Sequence, residues 1–228
     1  MDILNVLKIT TAIITVFFTF LAAYIELRRN PDYWLNRWFA LFFSSMGVGF
    51  LLYTVYHFIT TAPAVIIPFM ISAHVLFNFG VVCLLMTTFI LDKSEKLAMS
   101  KKYLGIILLL FFLSIIGYFI WTPTLNMERF DQGIVDTETP TIWFVFVNAF
   151  RLIVLIYVLV KYGIIARKSQ EPLVKKKVSW FLGGSIINVI GILLNLFGGL
   201  LGSPWFEILG LMSFNAGAIA IVKGFLLE

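Results

Sequence analysis

A single cysteine, Cys83, and two histidines, His57 and His74, are all the thiol and imidazole this chain contains. One thiol cannot close an intramolecular disulfide, and two imidazoles on different expected helices cannot, with it, supply the usual zinc shell. Cys83 lies inside an apolar run and reads as a small buried residue, which leaves the redox compartment open. Charge is scarce as well: only 13% of residues are Asp, Glu, Lys or Arg, far from the usage of soluble domains. No nucleophile stands in a Ser-His-Asp or G-x-S-x-G context, so neither an enzyme nor a cofactor is expected. The net charge of +5 is broken into short segments between apolar runs, which excludes a continuous nucleic-acid surface. Asp2 stands where a secretory signal would be basic, and no small-residue cleavage site follows the first apolar run. That run is therefore read as retained.

What the chain has is apolar surface, 61% of its residues, with a mean hydropathy of +0.99. This is the composition of an integral membrane protein. Windows of about 20 apolar residues place seven spans, near 4–27, 37–60, 64–91, 103–121, 141–166, 178–200 and 204–226. The expected fold is all-α, a polytopic bundle of seven transmembrane helices forming one domain over 1–228, multi-pass in the cell membrane.

The connecting segments set an orientation. Arg28, Arg29, Arg37, Lys93, Lys96, Lys101, Lys102, Lys161, Arg167, Lys168, Lys175, Lys176, Lys177 and Lys223 make 14 of the 17 basic residues, all on one side. The other side holds Lys8 and Arg129 among Asp2, Glu128, Asp131, Asp136 and Glu138. By the positive-inside rule the N-terminus is outside and the C-terminus cytoplasmic. All six tryptophans, Trp34, Trp38, Trp121, Trp143, Trp180 and Trp205, fall at expected span ends, where an amphipathic ring prefers the interface. The basic loops also meet anionic headgroups of the lipid bilayer. The longest loop, Trp121 to Pro140, is acidic and is the one outer element large enough to form a lid or partner surface.

Two helices carry small residues on one face. Gly184, Asn188, Gly191, Asn195 and Gly198 recur at spacings of four and three, and Gly210, Ser213, Gly217, Ala220 and Gly224 repeat the device. The sixth and seventh helices are expected to pack as an antiparallel pair, with the asparagines bonding across.

Arg151 lies about 15 Å into the fifth span, the middle of the hydrocarbon. A charge there costs from about 3 to above 10 kcal/mol if unanswered, so it must face the interior and find polar partners. His74 reaches the same depth from the third helix, and Asn148 shares Arg151's face. His57, Asn195 and Glu207 come within a turn or two of the outer boundary. The expected site is an outer cavity bounded by His57, His74, Asn148, Arg151, Asn195 and Glu207, continued inward by Asn78, Asn188 and Asn215. Each has a plainer reading: Glu207 in water, His57 at the headgroups, His74 a satisfied interior group, Arg151 only a tie between helices. A glutamate paired with Arg151 would favour that tie. Neutral amides around it would leave a site for a carboxylate or phosphate.

Three stretches resemble a known family. Arg29-Asn30-Pro31 with Asn36-Arg37 and Phe39-Ala40-Leu41, the basic loop into Leu182-Gly183-Gly184, and Ala218-Ile219-Ala220-Ile221-Val222-Lys223 with Phe225-Leu226 are similar to the seven-transmembrane sensor region of prokaryotic histidine kinases. The resemblance implies an N-out receptor that senses an outer or membrane-borne signal and addresses a cytoplasmic signalling partner. A kinase-bearing relative would continue past Glu228. A free-standing receptor, as monomer or homodimer, and the membrane part of a longer protein both fit.

The expected function is a sensor or receptor-like module that binds a small anionic or lipid-like ligand in the outer half of the bundle. The alternatives are a small transporter or ion- or proton-conducting protein using the same polar residues, and a structural protein with no ligand. Against transport stand the missing duplicated half and the lack of a helix broken at mid-membrane, since Pro68 falls near the start of its helix. Lys223 lies too close to the basic boundary for a retinal-type Schiff base and is read as snorkelling.

Overall fold

The computed structural model describes residues 3–59 and 61–227. Met1, Asp2, Thr60 and Glu228 fall outside the described residues, and with them the outer-side placement of Asp2, the last residue of the second expected span and the chain end at Glu228. The elements in order are α1 (Ile3–Arg29), α2 (Trp34–Phe58), α3 (Pro63–Lys93), α4 (Glu95–Ala98), α5 (Lys101–Ile115), α6 (Gly117–Ile120), β1 (Thr124–Leu125), α7 (Met127–Asp131), β2 (Thr137–Glu138), α8 (Thr141–Lys168), α9 (Pro172–Leu201) and α10 (Pro204–Phe225). Seven of these units, α5 and α6 counted as one, are long and apolar enough to cross a membrane. The protein is an all-α seven-helix bundle of the multi-pass membrane type.

Local chemistry sets the ends. Proline occupies the first turn of α3, α9 and α10, where its missing N–H removes nothing the helix would use. Gly202, at φ 63°, takes the left-handed position that ends α9 and turns the chain back into α10. The burial pattern is inverted relative to a water-soluble protein. Ile142, Ile153 and Phe119 are exposed, while Asn5, Lys8, Thr15, Glu26 and Asn78 are buried. A bundle that hides its polar groups and bares its aliphatic ones is built for hydrocarbon.

Six helices close a ring in the order α1, α2, α3, α8, α9, α10 and back to α1, with α5 packed on the outer side of α3. The tightest seam joins α9 and α10. Side chains added at Gly184 or Gly217 would run into the facing backbone, and Gly191 meets the Gly210 carbonyl. Close approach of small residues is how helices associate without a hydrophobic drive between them. The expected asparagine bridges across this seam are absent: neither Asn188 nor Asn195 makes a side-chain hydrogen bond among the described residues, and Asn188 Oδ1 is buried against Gly217. The glycines bring the backbones too close for an amide to span the gap.

Two further expectations change. α9 begins at Pro172, so Lys175, Lys176 and Lys177 lie on the helix itself and Trp180 more than two turns inside it. Trp38 and Trp143 are buried rather than facing an interface. The first donates from its indole to Met99 Sδ at 3.3 Å, and the second stacks on Phe146 and fills the space left at Gly117. The fourth span runs as one unit from Lys101 to Ile120, through Ile116, whose backbone stays helical between α5 and α6. The long loop is ordered: β1 and β2 pair antiparallel, and the Asn126 side chain caps α7 by accepting from the Arg129 N–H at 3.1 Å.

The two ends of the ring are filled differently. Toward the basic end Phe39 sits within an aromatic cluster formed by Phe43, Tyr162, Phe181 and Phe225. The Thr87 and Tyr162 hydroxyls bond at 2.8 Å inside it. The other end is hollow.

Candidate functional site

The hollow is a cavity of about 850 Å³, within the range of pockets that bury small ligands. Seven of the eight singled-out residues line it: His57, His74, Asn148, Arg151, Asn188, Asn195 and Glu207. The eighth, Asn78, does not line it, and neither does Asn215. Asn78 stands behind Arg151, accepting from its Nε at 2.7 Å while donating to the Ser114 carbonyl of α5 at 2.7 Å. It ties α8 to α3 and α5. Asn215 is spent on the α1 seam, accepting from the Thr15 hydroxyl at 2.5 Å and donating to the Thr11 carbonyl at 3.1 Å.

Arg151 is answered by neutral groups. Its Nη2 lies 3.2 Å from His74 Nδ1, the His74 ring stacks on Tyr118, and the Tyr118 hydroxyl is a further polar neighbour. Phe77 lies under the guanidinium, 6.0 Å from ring centre to Cζ. Asn78 and His74 take two of the five guanidinium N–H groups and the Tyr118 hydroxyl can take a third, so two have no protein partner among the described residues.

Glu207 is not Arg151's counterion. Its carboxylate stands 2.5 Å from the Lys8 ammonium and accepts from the Tyr53 hydroxyl at 2.8 Å. Lys8, an outer-side charge by sequence, lies inside the bundle. It is 6% exposed, and the signal that marks it is a charge of opposite sign at matching depth on the neighbouring helix. His57 is likewise buried, its Nδ1 2.9 Å from the Tyr53 carbonyl and its ring against Tyr53 and Tyr56. The headgroup position and the water-exposed position weighed for these two residues are both replaced by a packed polar cluster. Asn148 turns its amide N–H to the Phe144 carbonyl of its own helix at 2.9 Å.

The loop between α6 and α8 roofs the cavity. Asn5 of α1 donates to the Gly133 carbonyl at 2.9 Å, and Phe130 and Val135 are buried with Tyr53, Tyr56 and Ile66. Asn5, fully buried, keeps an unpartnered Oδ1 at the cavity wall. Among the described residues no three His, Cys, Asp or Glu side chains gather as metal ligands. No protein-family model matches the chain, and no curated protein matches it.

Proposed function

We propose that the protein is a membrane-embedded sensor or receptor-like module, N-terminus outside, that takes an anionic small or lipid-like ligand at Arg151. One observation carries this reading: the half-buried guanidinium has only uncharged hydrogen-bond partners, and the acid lining the same cavity on α10, Glu207, is already paired with Lys8. A cation in a low-dielectric wall with two free donors attracts a carboxylate or phosphate far more strongly than it would in water. Signal output is proposed to run through α8, α9 and α10, which all touch the cavity: α8 and α10 end, and α9 begins, among the basic residues, so an occupant that prefers one packing of these helices would shift what a cytoplasmic partner meets. The similarity to kinase sensor regions points the same way. The aromatic plug at the basic end favours reception over conduction, since the polar lining does not run through the bundle.

Protein extracted gently from membranes and examined by native mass spectrometry is expected to carry a bound anionic species that Arg151→Gln lacks. Equal occupancy in wild type and variant would remove the reading. In proteoliposomes no proton or solute flux is expected. A flux that disappears in Arg151→Leu would make the protein a transporter instead.

A further inference from the structure

Resting on the anion-site reading, we infer that the ligand is an amphiphile with a carboxylate head, bound head at Arg151 and apolar tail toward the basic end. The cavity is long and chemically graded. Its lining runs from Glu207 to Ile221 on α10 and from Thr141 to Leu155 on α8, fourteen residues in each case, or about 21 Å. A volume of about 850 Å³ is enough for an elongated apolar tail together with its head.

The rim is polar, with Asn126, Gln132 and Asp136 of the loop and the Lys8–Glu207 pair. Arg151 stands at the waist. Beyond it, toward the basic end, the wall consists chiefly of Phe43, Val81, Leu155, Ala218 and Ile221; the Thr15 and Thr19 hydroxyls at that depth are bonded back to their own helix, and Asn188 turns its Oδ1 against Gly217. All but Ala218 belong to the aromatic and aliphatic cluster that plugs the bundle. A largely apolar floor of this kind offers little to a small hydrated ion. Acetate or inorganic phosphate would satisfy the guanidinium and leave the floor empty. A neutral lipid would fill the floor and leave the guanidinium unanswered. Only an occupant with one anionic group and an apolar tail uses both, and the two spare N–H groups on Arg151 suit the two oxygens of a carboxylate.

The test is calorimetric titration of the full chain in lipid nanodiscs with acetate, hexanoate, octanoate, decanoate and decanol, in wild type, Arg151→Gln, Ala218→Phe and Leu155→Ala. Referred to free aqueous concentration, affinity should rise about fourfold per methylene from hexanoate to decanoate. Arg151→Gln should erase the preference for decanoate over decanol. Ala218→Phe, which fills the floor, should weaken decanoate at least tenfold while sparing hexanoate, and Leu155→Ala, which deepens it, should move the optimum to a longer chain. At constant mole fraction in the bilayer, a chain-length dependence that vanishes identifies entry from the membrane, and one that persists identifies entry from water. Arg151-dependent binding of acetate as tight as that of decanoate would overturn the amphiphile and keep the anion site. Absence of any Arg151-dependent binding would overturn both.

Discussion

The Lys8 ammonium on α1 meets the Glu207 carboxylate on α10 at 2.5 Å, beside the seam that closes the helix ring. Because the two charges satisfy each other, and the Tyr53 hydroxyl adds a bond at 2.8 Å, the mid-span cation of the cavity wall, Arg151, is left with amide, imidazole and phenol. The pair and the lone guanidinium are two halves of one arrangement.

Removing one partner of such a pair strands the other. Lys8→Met is expected to destabilise the bundle by about 3 kcal/mol, and the double variant Lys8→Met/Glu207→Gln by distinctly less. Unfolding free energies in bicelles measure both, and equal losses in single and double variants would mean the two charges are independent.

Asn78 is a structural tether on this geometry, holding Arg151 on one side and the Ser114 carbonyl on the other. Asn78→Leu should cost about 1 to 3 kcal/mol, and should cost much less in an Arg151→Met background. A double-mutant cycle with coupling near zero would show that the two residues do not act together.

The α9–α10 seam makes a sharp comparison between two glycines of the same region. Gly217→Ala drives a methyl into the Asn188 amide and the Gly184 carbonyl, whereas the space beside Gly183 is open. The first should lose about 1 to 3 kcal/mol and the second stay within about 0.5 kcal/mol of wild type or gain slightly. Thermal unfolding of both proteins in the same detergent decides it.

Orientation is open to chemical labelling. In a Cys83→Ala background, a cysteine at Arg129 should react with a membrane-impermeant maleimide on intact cells and one at Lys176 only after lysis. The reverse pattern would invert the proposed topology and place the cavity mouth in the cytoplasm.

Much of the bundle could be read from the chain because span length, hydropathy and prolines at helix starts are local properties. The packing of Trp143 into the space at Gly117 was not legible, since it joins two helices from residues 26 positions apart. The candidate site was legible in part. Depth along each helix follows from residue count, so His74 and Arg151 were matched correctly across α3 and α8. Azimuth does not follow from depth, and so Asn78 was assigned to the lining when it stands behind it, and Lys8 to the surface when it is inside.

Composition alone determined that this chain forms apolar helices and that a guanidinium at mid-span would have to be answered from neighbouring helices, because hydrocarbon offers it nothing. Which groups answer was decided only when the ring closed. Lys8 and Glu207 are 199 positions apart, and their contact, which leaves Arg151 without an acid, exists because α10 returns to lie against α1.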